Sequence, residues 1–150
     1  MSLRTFLFSL FLFQLSIFNC QLAKAQTLPS SEGERARYSV QIDVKKAYIS
    51  GICGMLFDEG KLKASVVNEF GFSAMDFEYD PQKDKVKIIN IVKKLDHWYI
   101  KRVLKRDLRI LIHNLKQGIY KHENTKYEIT YNFQPLQPIT EEATNNGNAI

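Results

Sequence analysis

Three carboxylates are the side chains of this sequence whose types and spacing best fit chemical work. Asp76 and Glu78 lie two residues apart, so on an extended strand they share one face, and Glu69 lies shortly before them. Two carboxylates on one face can act as a general acid and a general base, which makes a small hydrolase one hypothesis. Exposed sheet faces also carry such acids routinely, and we favour that structural interpretation.

Cysteine and histidine give no stronger sign of catalysis. Cys53 lies among apolar, β-branched residues, which favours a buried and inert thiol over a nucleophile. The histidines lack the spacing of metal ligands, so surface or capping roles are expected for His97, His113 and His122. The sequence contains no G-x-S-x-G, P-loop or H-E-x-x-H motif. We therefore predict that the protein is not an enzyme and has no catalytic residue, metal site or cofactor.

Residues 1–25 have the order of a secretory signal peptide. Arg4 supplies a positive charge, an apolar run follows over 6–18, and Ala23-Lys24-Ala25 forms an A-x-A cleavage site. The apolar run is shorter than the roughly 20 residues that a transmembrane helix needs. We expect cleavage after Ala25 and export to the periplasm or the outside of the cell.

Cys20 offers an alternative, a lipoprotein anchored at this cysteine. Small residues usually precede a lipidated cysteine, whereas Phe18 and Asn19 precede Cys20, so the A-x-A site is the better match. Cleavage there leaves Cys53 as the one cysteine, and a domain without an internal disulfide must be stabilised by its hydrophobic core.

Positive charge is concentrated in one segment of the chain. The whole sequence has 21 Lys and Arg against 16 Asp and Glu, a net charge of +5. Residues 93–109 alone contain seven of the bases and two of the acids. The same segment carries the apolar stripe of an amphipathic helix, at Ile100, Leu104, Leu108, Leu111 and Leu115.

The opposite side of this helix is a cationic face with one aromatic residue. At about 100° per residue, the side chains on that face include Trp98, Arg102, Lys105, Arg106 and Arg109. Such a face suits an anionic membrane surface or an acidic protein. A solvated face that keeps the domain soluble is the alternative that we favour. We do not expect nucleic acid as a partner, because an exported chain without a recognised binding motif gives no reason for one.

Alternating apolar and polar residues predict strands along the rest of the domain. The patterns cover 38–44, 47–57, 85–92 and 126–133, together with a stretch over 62–79 in which Gly71 marks either a turn or a kink. Short turns between successive strands favour an antiparallel meander.

We therefore predict an α+β fold. It is a curved antiparallel β-sheet, an incomplete barrel, of five or six strands packed by one long amphipathic helix. The apolar periodicity from Leu95 to Leu115 predicts this helix, with Asp96 as its N-cap and Gly118 as its end. The single domain covers 38–133, between a flexible leader and a disordered tail, and these flanking segments are predicted for 26–37 and 134–150.

The stretch from Lys61 to Tyr79, followed by a turn, a strand and the helix that carries Trp98, resembles small exported proteins of the lipoprotein-localisation-factor type. The resemblance extends roughly from Ile49 to Asn114 and is most specific in Val67-Asn68-Glu69-Phe70-Gly71. It implies a strongly curved sheet that is closed by helices over an apolar cavity holding acyl chains. It also implies that there are no catalytic residues.

Our first hypothesis is an exported, non-enzymatic binding protein for a hydrophobic ligand such as a lipid, an acyl chain or a lipoprotein. The candidate cavity residues are Ile49, Val66, Phe70, Phe72 and Phe77. For any single one of these residues, a place in a filled core is the interpretation that we favour. The second hypothesis is a structural or interaction subunit, or an inhibitor, with a solid core and no ligand. The third is the hydrolase that uses the strand carboxylates.

Overall fold

Seven strands and one long helix make up the part of the chain that the computed structural model describes, residues 27–45 and 47–137. The strands are β1 (Arg35–Val44), β2 (Ala47–Asp58), β3 (Lys61–Val67), β4 (Ser73–Asp80), β5 (Lys85–Ile91), β6 (Lys121–Asn124) and β7 (Ile129–Pro135), and the helix is α1 (Trp98–Lys116). The predicted signal peptide, with Cys20, and the segment 138–150 lie outside the described residues.

All seven strands belong to one antiparallel sheet with the order β5-β4-β3-β2-β1-β7-β6. The sheet curls into a half-barrel, and α1 lies across the opening because it contacts both edge strands, β5 and β6. The predicted α+β fold with a curved antiparallel sheet and one long helix is therefore confirmed. The predicted number of strands is wrong. The strand that was missed is β6, whose sequence (KHEN) lacks apolar alternation and is recognised only by its pairing with β7.

The Gly71 region is a turn between two strands and not a kink in one. Asn68 Oδ1 accepts hydrogen bonds from the backbone N–H groups of Phe70 and Phe72, each at 3.0 Å. Gly71 supplies the left-handed conformation that the turn needs, with φ of +80°. The polar side chain and the glycine thus set the path of the turn without any contribution from the two phenyl rings.

The concave face of the sheet and the apolar stripe of α1 form one buried cluster. The helix contributes Leu104, Leu108, Leu111 and Leu115, and each is at most 3% exposed. The largest fully buried side chains from the sheet are Tyr38, Ile42, Val66, Phe77, Tyr131 and Phe133. Burying one leucine or phenylalanine contributes about 1.5–3 kcal/mol, so this contact dominates the stability of the fold.

The start of α1 differs from the expectation, whereas its end agrees with it. A 3-10 turn over Lys93–Leu95 precedes the helix, and the N-cap is His97, without a capping side-chain hydrogen bond. Asp96 is therefore not the N-cap, and its carboxylate instead pairs with Lys101 Nζ at 2.6 Å. At the other end Gly118, with φ of +75°, continues into a Schellman turn in which Ile119 N–H donates to the Asn114 carbonyl.

The predicted flexible leader is part of the fold from Thr27 onward. β1 already begins at Arg35, and Leu28 is buried in the core. The Glu32 carboxylate accepts hydrogen bonds from the N–H groups of Glu59 and Gly60 in the β2–β3 turn, at 3.0 and 2.7 Å. The polar composition of this segment reflects carboxylates that bind backbone N–H groups, which composition alone does not distinguish from a solvated leader. β7 likewise runs to Pro135, into the predicted tail.

A buried carboxylate on α1 connects the helix to the strands at one edge of the sheet. Asp107 is 0% exposed, and its Oδ2 accepts hydrogen bonds from Asn124 Nδ2 at 2.7 Å and from Tyr131 Oη at 3.1 Å. Its Oδ1 lies 3.4 Å from Arg106 Nε and 4.0 Å from His122 Nε2. Burial, together with this carboxylate, raises the pKa of Tyr131, so the hydroxyl stays protonated and acts as a donor.

Replacing this carboxylate should therefore destabilise the fold. Asp107→Ala leaves the Asn124 amide and the Tyr131 hydroxyl without their acceptor, at a cost of about 1–3 kcal/mol per orphaned buried group. We expect urea denaturation to show a loss of roughly 2–4 kcal/mol. Asp43→Ala, at an exposed position of β1, should change the stability by less than about 0.5 kcal/mol. Equal effects of the two substitutions would contradict this role of Asp107.

Two glycines of β2 provide a second, matched prediction. A Cβ atom at Gly51 would lie 2.0 Å from the carbonyl oxygen of Val67, and Gly51 has φ of +156°, whereas a Cβ at Gly54 meets nothing within 4 Å. Gly51→Ala should destabilise the protein by roughly 2–4 kcal/mol, because the strand backbones must separate. Gly54→Ala should be neutral or stabilising by up to about 1 kcal/mol. Urea midpoints of the two variants that coincide would show the prediction to be wrong.

Candidate functional site

An open groove of about 820 Å³ lies at the end of the half-barrel where α1 begins. Its walls are the first turns of α1, the β1–β2 turn and the β6–β7 turn. The lining residues are Val44, Lys45, Ala47, Lys94, Leu95, Trp98, Tyr99, Ile100, Arg102, Val103, Arg106, Tyr127 and Ile129. We call this the groove, and we call the end of the half-barrel that contains it the groove end.

The floor of the groove is apolar because the strand ends that meet here carry apolar residues. Val44 pairs with Ala47 on one side and with Ile129 on the other, and Ile129 in turn pairs with Asn124, the last residue of β6. On the helix, Ile100 and Val103 are half-buried and pack against the core. The floor is thus an extension of the hydrophobic core that α1 leaves partly uncovered.

The rim of the groove carries four bases and no acid. Lys45 pairs with Glu128 at 3.3 Å, and Arg106 contacts Asp107 and lies 5.9 Å from the centre of the Tyr127 ring. Lys94 and Arg102 are exposed and form no ion pair within the described part of the chain. These two cations are therefore available to an anionic group at the mouth of the groove.

Aromatic side chains complete the rim. Trp98 is 74% exposed and packs edge-on against Tyr99, with ring centres 6.0 Å apart. Tyr99 also stacks on His97 at 5.5 Å, and Tyr127 stands on the opposite wall. Rings that combine an apolar body with a polar tip suit the boundary between an apolar floor and water.

The groove has the size and composition of a small-molecule site. Ligand sites typically measure about 300–1,000 Å³ and combine an apolar lining with a few polar groups that fix orientation. Here the polar groups are cations at the mouth. The arrangement suits an amphiphile whose apolar part lies along the floor and whose anionic head contacts Arg102 and Lys94.

The five predicted cavity residues do not form one surface. Ile49, Val66 and Phe77 are fully buried in the core between the sheet and α1. Phe70 and Phe72 lie in the β3–β4 turn and are 75% and 71% exposed. The space over the inner face of the sheet is filled by the leucines of α1, and none of the five residues except Phe77, at the edge of a shallow depression on the outer face, lines a described pocket.

The residues predicted for docking divide into two groups along α1. All five are exposed, but only Trp98, Arg102 and Arg106 line the groove. Lys105 lies outside it, and Arg109 reaches toward Asp84 in the β4–β5 turn, at 3.8 Å. One part of the predicted docking face therefore forms the rim of the groove, and the part with Lys105 and Arg109 is a solvated surface.

The strand carboxylates lie away from the groove, on the outer face of the sheet. Asp76 Oδ1 accepts hydrogen bonds from the hydroxyls of Ser65 and Ser73, at 2.5 and 2.7 Å. Glu78 lies 3.9 Å from Lys61 Nζ. Glu69 is exposed in the β3–β4 turn, so the three carboxylates are not brought together as one site.

The histidines make separate contacts. His113 Nε2 lies 2.8 Å from Asp84 Oδ1, and this hydrogen bond, with smaller contributions from Tyr79 and Arg109, lowers the pKa of the Asp84 carboxyl. His122 stacks on Tyr131 at 5.7 Å. Across residues 27–45 and 47–137, no three His, Cys, Asp or Glu side chains are grouped as a metal site requires.

Sequence reasoning missed half of the groove and the buried Asp107 cluster. The lining comes from three segments that are distant in sequence, the β1–β2 turn, the start of α1 and the β6–β7 turn, so no local pattern indicates it. Asp107 itself carried a usable signal, because it lies between Leu104 and Leu108 at the edge of the apolar stripe. A carboxylate at such a position needs buried donors, and these come from β6 and β7.

Comparison with known proteins adds no relative. No family model, no curated protein and no solved structure matches the chain. Among the described residues, no helix has both the length and the apolar character of a membrane span.

The thiol of Cys53 gives a prediction about reactivity. Burial raises the pKa of Cys53 to about 12, so the thiolate is scarce at mildly alkaline pH. We expect the folded, processed protein to resist a thiol reagent such as Ellman's reagent over a period in which the urea-unfolded protein reacts completely. Rapid reaction of the folded protein would show that Cys53 is accessible.

Proposed function

We propose that the protein is an exported, non-enzymatic binding protein that holds a lipid or an acyl chain with an anionic head in the groove. One observation supports this proposal above the others. An apolar floor contiguous with the core opens at a rim with four bases and no acid, in a volume of about 820 Å³. The exposed cations at the rim are not required by the packing of the core.

Binding would follow from two separable contributions. The acyl chain removes half-buried floor residues such as Ile100 and Val103 from water, at about 25 cal/mol per Å² of apolar area. The head group, a carboxylate or a phosphate, pairs with Arg102 and Lys94 at the mouth. Because the head remains near solvent, its contribution should weaken with increasing salt.

The proposal agrees with our first sequence hypothesis but moves the site. That hypothesis, and the resemblance to lipoprotein-localisation factors, implied an apolar cavity inside the curved sheet. The leucines of α1 occupy that space, so the ligand is assigned to the groove beside the start of the helix. The lining of the groove contains no carboxylate, histidine or cysteine, and the proposal therefore includes no catalytic step.

An interaction subunit without a ligand remains the second candidate. It is favoured by the filled core, in which α1 packs directly on the inner face of the sheet. Native and denaturing mass spectra of the protein purified from the cell envelope distinguish the two candidates. A lipid-sized mass difference that disappears on denaturation supports the first, whereas a stoichiometric protein partner supports the second.

Removing the two unpaired rim cations should weaken ligand binding without affecting the fold. We expect Lys94→Gln combined with Arg102→Gln to reduce the affinity for a fluorescent fatty acid about tenfold, which corresponds to about 1.4 kcal/mol. The matched control is Lys87→Gln with Lys105→Gln, two exposed bases outside the groove, and it should bind as the unaltered protein does.

A floor substitution tests the apolar contribution. Val103→Glu places a carboxylate on the floor and should abolish uptake, while circular dichroism checks that the fold is retained. If the unaltered protein shows a clean apo mass and takes up no fluorescent fatty acid, the proposed function is wrong.

A further inference from the structure

Six exposed aromatic side chains lie at the groove end of the half-barrel. Their exposed fractions range from 38% to 75%, and the six residues are Tyr48, Phe70, Phe72, Trp98, Tyr99 and Tyr127. Within the described part of the chain, these six are all of the exposed large aromatic residues. The remaining exposed large apolar side chains are aliphatic, and two of them, Ile52 and Ile89, lie on the outer face of the sheet.

The topology explains why these residues share one end. β1 runs toward the groove end, and β2, which carries Tyr48, starts there. β3 ends there, before the turn that carries Phe70 and Phe72. β6 also ends there, before Tyr127. α1 starts at the same end with Trp98 and Tyr99, after β5 has ended. Four separate segments thus each place aromatic side chains at one end of the molecule.

The fold does not need these rings. The path of the β3–β4 turn is set by Asn68 and Gly71, and Phe70 and Phe72 remain about three-quarters exposed. Exposed apolar side chains that gather on one surface indicate an interaction site, since scattered ones would be ordinary.

The groove end also carries more exposed bases than exposed acids. The exposed bases there are Lys45, Lys93, Lys94, Arg102, Arg106 and Lys126. The exposed acids there are Asp43, Glu69, Asp96 and Glu128, of which Asp96 is paired with Lys101 and Glu128 with Lys45.

We propose that the groove end docks on the surface of a bilayer that contains anionic lipids. The aromatic rings would lie at the level of the head groups, where tyrosine and tryptophan are enriched, and the bases would contact the anionic heads. A protein partner is the less favoured occupant, because the cores of protein interfaces are depleted in lysine, whereas Lys45 and Lys94 here line the same groove as Trp98, Tyr99 and Tyr127. This docking goes beyond the proposed function, but it would direct the mouth of the groove at the lipid.

The only tryptophan of the chain makes the docking directly measurable. The protein is expressed from its full sequence, and its processed form is purified and mixed with vesicles. We expect Trp98 emission to shift to the blue, and the protein to sediment with vesicles, when phosphatidylglycerol is present. Vesicles of phosphatidylcholine alone should bind much less, and high salt should release the protein. An absence of binding, or equal binding to both vesicle types, overturns the proposal.

A matched pair of double variants tests which surface docks. Phe70→Ser with Phe72→Ser should weaken vesicle binding roughly fivefold or more, because two apolar side chains are lost from the docking surface. Ile89→Ser with Ile119→Ser removes two other exposed apolar side chains, 52% and 48% exposed, from outside the groove end and should leave vesicle binding unchanged. Equal losses in the two variants overturn the proposal.

The same variants separate this proposal from the proposed function. Neither Phe70 nor Phe72 lines the groove, so uptake of the fluorescent fatty acid in solution should be unaffected by their replacement. Vesicle binding without any uptake of fatty acid would contradict the ligand site alone. Uptake of fatty acid without vesicle binding would contradict the docking alone.

Discussion

The hydrogen bonds of one buried carboxylate determine how the helix sits on the sheet. Hydrophobic contact between leucines and a curved sheet is non-directional, and it permits α1 to rotate or slide. Asp107 removes that freedom, because its oxygens must meet the Asn124 amide and the Tyr131 hydroxyl or remain unpaired in the core. At the other edge, Asp84 contacts His113 and Arg109 near the end of the helix. The helix is thus held at both edges of the half-barrel.

The groove is a consequence of this placement. With Asp107 fixed against β6 and β7, the first turns of α1 extend past the end of the four-residue β6. The ends of β1, β2 and β7 therefore stay uncovered on the inner face, and their apolar residues become the floor. The candidate site thus depends on a helix that Asp107 holds in place and that leaves these strand ends partly uncovered.

Local patterns were sufficient for the elements with strong apolar periodicity and insufficient for contacts between distant segments. The alternation over 38–44 and the stripe from Ile100 to Leu115 predicted a strand and a helix that the structure contains. β6 was missed because its residues are polar and show no apolar alternation. Its extended conformation depends on its pairing with β7. The local pattern also did not indicate which phenylalanines are buried. Phe77 is in the core and Phe70 is exposed, a difference that depends on where the β3 strand ends.

The position of β7 in the sheet has a consequence for the order of folding. β1 to β5 pair with their neighbours in sequence, so this part can form from local contacts soon after synthesis. β7 pairs with β1, and about 90 residues separate Val40 from its partner Phe133. The pairing of β1 with β7 is therefore of high contact order, and it can form only after nearly the whole chain has been synthesised. Until then β1 presents an unpaired edge that a chaperone or another copy of the chain can bind.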